Sequence, residues 1–272
     1  MKLNVLIPSR GRPYQLAAAL YSLAMNASNE HEVTLCVACD DDDIATQECL
    51  RALRPKMPLY IRIGPRPDSL GSVANDLSDK WKADAYLIFA DDLICSTYGW
   101  DAVVAKAVEE TPHGVFWWTS ASGVPTFVPI ITEKWRAACG RLFTEHFPFW
   151  YDDLWLMELW VRATESEPIV LDIKVVDKPT ATIRMRELRF WHDFFTFMRA
   201  ERIEEGIRIA EALGLRKPII GKILSDKLDM HAVVSDNFLE DIMRRNKAES
   251  TPPDEAYKRA KERAEMLMLK AA

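Results

Sequence analysis

Four short runs of strand-forming residues, separated by stretches with helical spacing, fill the first ninety residues and constrain the fold more than any other feature. "KLNVLIPS" leads into "YQLAAALYSLAMN", in which Leu16, Leu20 and Leu23 share one helical face. "HEVTLCVACDDDD" precedes "IATQECLRAL", "PLYIRIGPRP" precedes "SLGSVANDLSDKWK", and "AYLIFADD" is the fourth run. The order β-α-β-α-β-α-β predicts parallel strands joined by right-handed crossovers, and hence an α/β sandwich. In such sheets ligands bind beyond the carboxyl ends of the strands. Here the first, second and fourth strands end in "PSRGR", "DDDD" and "DD", so one sheet edge is expected to gather cations, loop amides and carboxylates.

Beyond residue 100 the alternation loosens. "HGVFWWTS" and "EPIVLDIKVVD" read as further strands, and "TFVPIITEKWRAAC" as a strand or loop running into a helix. "FWYDDLWLMELWVRATES" reads as a tryptophan-rich helix opened by two aspartates. From about residue 187 the pattern is helical, in "RFWHDFFTFMRAERIEEGIRIAEAL", "SDNFLEDIMRR" and, after the turn-like "STPP", "PDEAYKRAKERAEMLMLKAA". The expected division is a catalytic domain over 1–186 and a helical extension over 187–272 packed on it.

The 272 residues, 49% hydrophobic and 28% charged, are enough for one large core, and no apolar run reaches the ~18 residues of a membrane span. Without a leader-like cleavage site, the expected location is the cytoplasm. The five cysteines are an odd set, which argues against a disulfide framework. Cys36 and Cys39 lie in one strand, where alternation sends them to opposite faces, so they are not expected to form a zinc or redox pair. A net charge of −6 argues weakly against a dedicated nucleic-acid binder.

Each motif has a chemical and a plain reading. Asp91 and Asp92 offer two hard oxygen donors suited to Mg²⁺ or Mn²⁺, or they are solvated loop acids. In "PSRGRP", Gly11 allows a tight turn, and Arg10 and Arg12 are placed to meet phosphates or a base edge. The element is neither a P-loop nor a dinucleotide fingerprint. Asp40 is the acid of "DDDD" expected to bind a ribose or base, with Asp42 and Asp43 left to cap the next helix. Asp152 and Asp153 lie among aromatics, where a raised carboxyl pKa suits a general base; equally, they are an acidic helix N-terminus. His192 is flanked by aromatics and is either packed or functional. Trp117, Trp118, Trp150, Trp155 and Trp191 offer faces for a sugar ring or base; the arginines and aromatics of 184–202 allow a nucleic acid or glycan, although an amphipathic helix packing its aromatics inward accounts for most of that pattern.

Taken together, residues 1 to 195 resemble the GT-A fold glycosyltransferases, especially family-2-like nucleotide-sugar transferases. The resemblance rests on "IPSRGRP" after the first strand, Asp40 after the second, "GSVAN" from Gly71 to Asn75, "FADD" after the metal strand, and "YDDLW" opening a helix. It implies a Rossmann-type αβα sandwich of GT-A type with a mostly parallel central sheet and a C-terminal helical extension. Pro8, Ser9, Arg10, Arg12, Asp40, Gly71, Asn75 and Asp91 would then bind the nucleotide sugar, a UDP-sugar first. Asp92, Asp91 and His192 would hold Mn²⁺ or Mg²⁺. Asp153 would be the base of an inverting transfer, with Asp152 in the position of the family's glutamate. The sequence departs from the family pattern in three places: the metal motif reads Ala90-Asp91-Asp92 instead of Asp-x-Asp, Asp152 replaces glutamate, and residue 159 is leucine where an arginine is common. The first departure makes Asp92 the expected direct ligand. The acceptor is expected to be a glycan or hydroxylated molecule. The other readings are a transferase acting on hydroxymethylated pyrimidines in DNA, a sugar-phosphate nucleotidyltransferase, and a non-catalytic nucleotide-binding module.

Overall fold

The computed structural model describes residues 1–120, 125–148, 151–177, 187–215 and 254–271. The predicted alternation is present as β1 (Lys2–Ser9), α1 (Pro13–Asn26), β2 (Glu32–Asp40), α2 (Ile44–Ala52), β3 (Leu59–Gly64), α3 (Leu70–Lys80) and β4 (Ala85–Ile88). There follow β5 (Leu93–Cys95), α4 (Trp100–Glu110), β6 (Val115–Ser120), β7 (Pro125–Thr132), α5 (Glu133–Cys139), α6 (Asp152–Thr164) and β8 (Ile169–Asp177). The last described helices are α7 (Leu188–Phe197), α8 (Arg199–Ala212) and α9 (Glu255–Ala271). The predicted helix "SDNFLEDIMRR" and the "STPP" turn lie outside the described residues.

The chain divides into two units, the first comprising residues 1–67, 73–142 and 168–180 and the second 68–72, 143–167 and 181–272. The first unit is built on an eight-stranded sheet in the order β3-β2-β1-β4-β7-β6-β8-β5. Its β3-β2-β1-β4 half is wholly parallel, whereas β7 and β5 run antiparallel to their neighbours and β8 lies parallel to β6. β1 sits between β2 and β4 and is buried along nearly its whole length, as expected for a parallel strand covered on both faces. Helix α1 starts with Pro13, whose fixed φ suits the first turn, and buries Leu16, Leu20 and Leu23. Asp43 caps α2 by accepting from the Thr46 amide at 3.2 Å.

The short β4 explains how the acids are delivered. It pairs with β1 only from Ala85 to Ile88, and one more bond, Phe89 N–H to the Leu6 carbonyl at 3.1 Å, anchors the exit. The chain then turns, with Leu93 N–H donating to the Ala90 carbonyl at 3.2 Å, and departs as β5 to pair with β8. Asp91 and Asp92 therefore lie in a turn fixed on both sides by sheet.

The regular elements among the described residues of the second unit are helices. Phe147, Tyr151, Trp155, Trp191, Phe194 and Phe195 form its aromatic core, with the Phe147 and Phe194 ring centroids 5.5 Å apart. Beside them Glu158 accepts from Arg162 Nε and from Arg202 Nε, each at 2.7 Å, in a network with all three side chains essentially inaccessible. The Arg202 guanidinium also lies 3.7 Å from the Phe195 ring centroid. α6 and α8 approach so closely at Gly206 that a Cβ there would meet Arg162 Cβ at 2.8 Å. Helix α9 is tied down by Arg259, which donates to Asp68 at 2.8 Å, and by Tyr257, which donates to Glu187 at 2.7 Å. No described helix is long and apolar enough to cross a membrane.

This packing corrects the reading of the tryptophans as binding faces and decides between the two readings of the arginine-aromatic stretch. Trp117, Trp118, Trp155 and Trp191 are at most 1% exposed and serve as core, so their faces are closed to a sugar or base; Trp150 lies outside the described residues. In the arginine-aromatic stretch, Trp191, Phe194 and Phe195 are buried and Arg202 is engaged by Glu158, so these groups are not offered to a nucleic acid. Arg184 and Arg186 lie outside the described residues.

Candidate functional site

In the first unit the ends of β1, β2 and β4 bring together six of the expected residues: Ser9, Arg10, Arg12, Asp40, Asp91 and Asp92. Pro8 and Ser9 close β1, whose last two residues pair with Ala38 and Cys39 of β2. The Ser9 hydroxyl donates to one Asp91 oxygen at 2.7 Å. The Arg12 Nη1 donates to the other Asp91 oxygen at 2.9 Å and to Asp92 at 2.7 Å. Arg10 Nη1 donates to Asp40 at 2.7 Å, and Arg10 Nη2 to Asp42 at 2.9 Å. Gly11, at φ 68° in the left-handed region that glycine tolerates, points its amide at Asp43, 2.6 Å away. The sheet edge is thus a lattice of alternating cations and carboxylates spanning three strand ends.

These partners set the local electrostatics. Burial pushes the Asp91 carboxyl up from its ordinary value, opposed by the Ser9 hydroxyl and the Arg12 guanidinium. Asp42 is held low by its hydrogen bonds to Arg10, which in turn raise the guanidinium. Burial alone would raise Asp43, but hydrogen bonds from Thr46 and the Gly11 amide outweigh it and hold the carboxyl low. Asp43 is a helix cap as expected, whereas Asp42 does not cap; it serves as the outer partner of Arg10.

Gly71 and Asn75 have packing roles in this structure. A Cβ on Gly71 would sit 2.1 Å from the Thr144 carbonyl oxygen, a distance no real contact tolerates, so glycine is required for that approach. Asn75 Oδ1 accepts from the Leu142 amide at 2.9 Å.

In the second unit, Asp152 and Asp153 open α6, preceded by Tyr151 at φ 67°, a strained backbone for a bulky residue. The Tyr151 ring packs on Phe147 and Phe195 and lies 6.3 Å from the His192 imidazole, centroid to centroid. Asp152 Oδ1 accepts from the Asp153 amide at 3.0 Å. Both carboxyls are raised, Asp152 chiefly by burial, Asp153 by burial and then by the neighbouring Asp152 charge. Helix N-terminal amides oppose the shift, but desolvation and the like charge prevail. A carboxylate in this state has the basicity that general base catalysis at neutral pH needs.

The fit of a divalent ion can be judged from Asp91 and Asp92. Among the described residues no group of three or more His, Cys, Asp or Glu side chains is arranged to hold a metal. One oxygen from each of Asp91 and Asp92 nevertheless converges on a single cationic nitrogen, Arg12 Nη1, which marks a point where positive charge is held by both. Two carboxylates suffice for Mg²⁺-like ions, which complete their shells with water and substrate phosphate oxygens.

No protein-family model matches the sequence, and no curated protein matches it. Solved structures share the fold. TarS of S. aureus in complex with UDP aligns with a TM-score of 0.57 at 15% identity, covering 92% of this chain and 76% of that one. TarS in complex with UDP-GlcNAc aligns with a TM-score of 0.53 at 17% identity, covering 96% and 79%. The mannosyltransferase PcManGT from Pyrobaculum calidifontis, in complex with GDP-Man and Mn2+, aligns with a TM-score of 0.56 at 14% identity, covering 99% and 85%. At these identities the shared property is the fold, which is of the GT-A type expected from the sequence.

Proposed function

We propose that this protein is a glycosyltransferase that moves a sugar from a nucleotide-sugar donor to an acceptor hydroxyl. The observation that carries this reading is the convergence of Ser9, Arg10, Arg12, Asp40, Asp91 and Asp92 on the carboxyl edge of a GT-A-type sheet. TarS in complex with UDP and UDP-GlcNAc and PcManGT in complex with GDP-Man and Mn2+ lend it support. A UDP-sugar is the first donor to test, and a GDP-sugar the second.

In this reading Asp40 accepts hydrogen bonds from the nucleoside, and the "PSRGRP" loop supplies Arg10, Arg12 and backbone amides to the diphosphate. Gly71 and Asn75 shape the stretch that follows β3. Asp92 and Asp91 would hold a divalent ion such as Mn²⁺, which would neutralise charge on the departing diphosphate. Asp153 takes the acceptor hydroxyl proton as the oxygen bonds to the anomeric carbon. The bond from that carbon to the diphosphate oxygen breaks, and the nucleoside diphosphate leaves with the electron pair. Attack from the face opposite the leaving group inverts the anomeric configuration. Burial keeps the Asp153 carboxyl basic, and the adjacent Asp152 charge adds to it.

The test is release of nucleoside diphosphate from a panel of UDP- and GDP-sugars, with simple glycosides as acceptors and Mn²⁺ present. Release from one donor, stimulated by one acceptor and lost in Asp92→Ala, is the expected result. Absence of release from every donor with every acceptor would count against transferase activity.

A further inference from the structure

We propose that Arg12 is the resident cation of the Asp91–Asp92 pair and that a divalent metal must displace it to bind. This inference deepens the functional reading above and rests on it for the identity of the ion.

Two carboxylates on adjacent residues, one of them only 5% exposed, repel each other unless positive charge lies between them. Arg12 Nη1 supplies that charge at 2.9 Å from Asp91 and 2.7 Å from Asp92, and the remaining Asp91 oxygen is taken by Ser9 at 2.7 Å. A divalent ion coordinated by the same two oxygens, at about 2.0–2.1 Å for Mg²⁺, would claim the position that the guanidinium nitrogen occupies. Two cations on the same two oxygens, one of them divalent, would repel each other at close range, so binding of the ion drives the guanidinium off.

The backbone at Arg12 is fixed, because its carbonyl accepts from Leu16 N–H at 3.0 Å and Pro13 opens α1. The side chain is long and 21% exposed, so a change of rotamer can carry the guanidinium away from the two carboxylates. A displaced guanidinium is a bidentate donor suited to phosphate oxygens. Arg12 therefore lowers metal affinity in the absence of donor, and a diphosphate that accepts the released guanidinium restores it. Metal and donor then bind with positive coupling, and each raises the affinity of the other by the same factor.

The test follows free Mn²⁺ by its electron paramagnetic resonance signal during titration into wild type, Arg12→Gln, Arg12→Lys and Asp92→Ala, first without nucleotide and then with saturating UDP or GDP. Circular dichroism of each variant confirms folding. Without nucleotide, Arg12→Gln is expected to bind Mn²⁺ about tenfold or more tightly than wild type, and Arg12→Lys to stay close to wild type. Asp92→Ala should lose the ion. Nucleotide should tighten Mn²⁺ binding in wild type and have a smaller effect in Arg12→Gln. Equal or weaker Mn²⁺ affinity in folded Arg12→Gln, or no Mn²⁺ uptake by either protein, would overturn the inference. A separate titration of nucleotide into wild type, with and without saturating Mn²⁺, reads the donor site itself, so absence of nucleotide binding under both conditions marks failure of the functional reading, whatever Arg12 does.

Discussion

Asp153→Asn is expected to lower the turnover of sugar transfer by about 10²- to 10⁴-fold, the usual contribution of a positioned base, while nucleotide binding stays intact. The carboxylate form of Asp153 is the working form, so wild-type activity should rise with pH through a limb displaced above the ordinary carboxylate range. Stability should move the opposite way. Because the folded state holds the Asp153 proton more tightly than the unfolded chain, it binds more protons between the ordinary and the raised pKa, and stability falls as pH rises through that window. The amide of the Asp153→Asn variant carries no such charge and also relieves Asp152, so the variant should melt higher than wild type at pH 8 and match it more closely at pH 4. Rapid-quench turnover and melting curves from pH 4 to 9 check both halves. A variant that keeps full turnover would remove Asp153 from the base role.

The second large effect is on stability. Glu158 is the shared acceptor of two buried arginines, Arg162 and Arg202, and all three side chains are at most 1% exposed. Replacing it with Gln keeps the shape and removes the charge, leaving two cations without their anion. Breaking a buried pair by removing one partner costs roughly 3–5 kcal/mol, a large share of the ~5–15 kcal/mol that stabilises a typical domain. Urea unfolding of Glu158→Gln should show a midpoint well below wild type, and Glu158→Ala a lower one still. A loss below ~1 kcal/mol would mean that the network is dispensable and that aromatic packing alone holds these helices.

Much of the first unit is legible in the sequence because its signals are local. Strand runs closed by Pro, Gly and acids, and the spacing of Leu16, Leu20 and Leu23, need no knowledge of distant partners. The acids of "FADD" and the arginines of "PSRGRP" are identifiable by type and by their place after a strand. Their pairing is not, since Arg12 and Asp91 are 79 positions apart and meet only because β1 and β4 are neighbours. Asp42 reads wrongly as a cap for the same reason, because capping is local whereas its bond to Arg10 crosses from β2 to β1. The tryptophans read as binding faces because a buried ring and an exposed ring have the same letter. Gly71 shows the converse, a motif glycine for which the fold supplies a packing requirement at the Thr144 carbonyl. The three-residue β5 is too short to carry a periodic pattern.

Nucleotide binding is the direct test of a donor site at the sheet edge. Melting temperature would be followed with UDP, GDP, ADP and the matching nucleotide sugars, each with and without Mn²⁺, on wild type and Asp92→Ala. A ligand that binds only the native state raises the transition by mass action. A rise with one uridine or guanosine diphosphate, enlarged by Mn²⁺ in wild type but not in Asp92→Ala, is the predicted result. Unchanged melting with every nucleotide, metal present or absent, would contradict the donor site and leave the GT-A-type sheet without the function proposed for its edge.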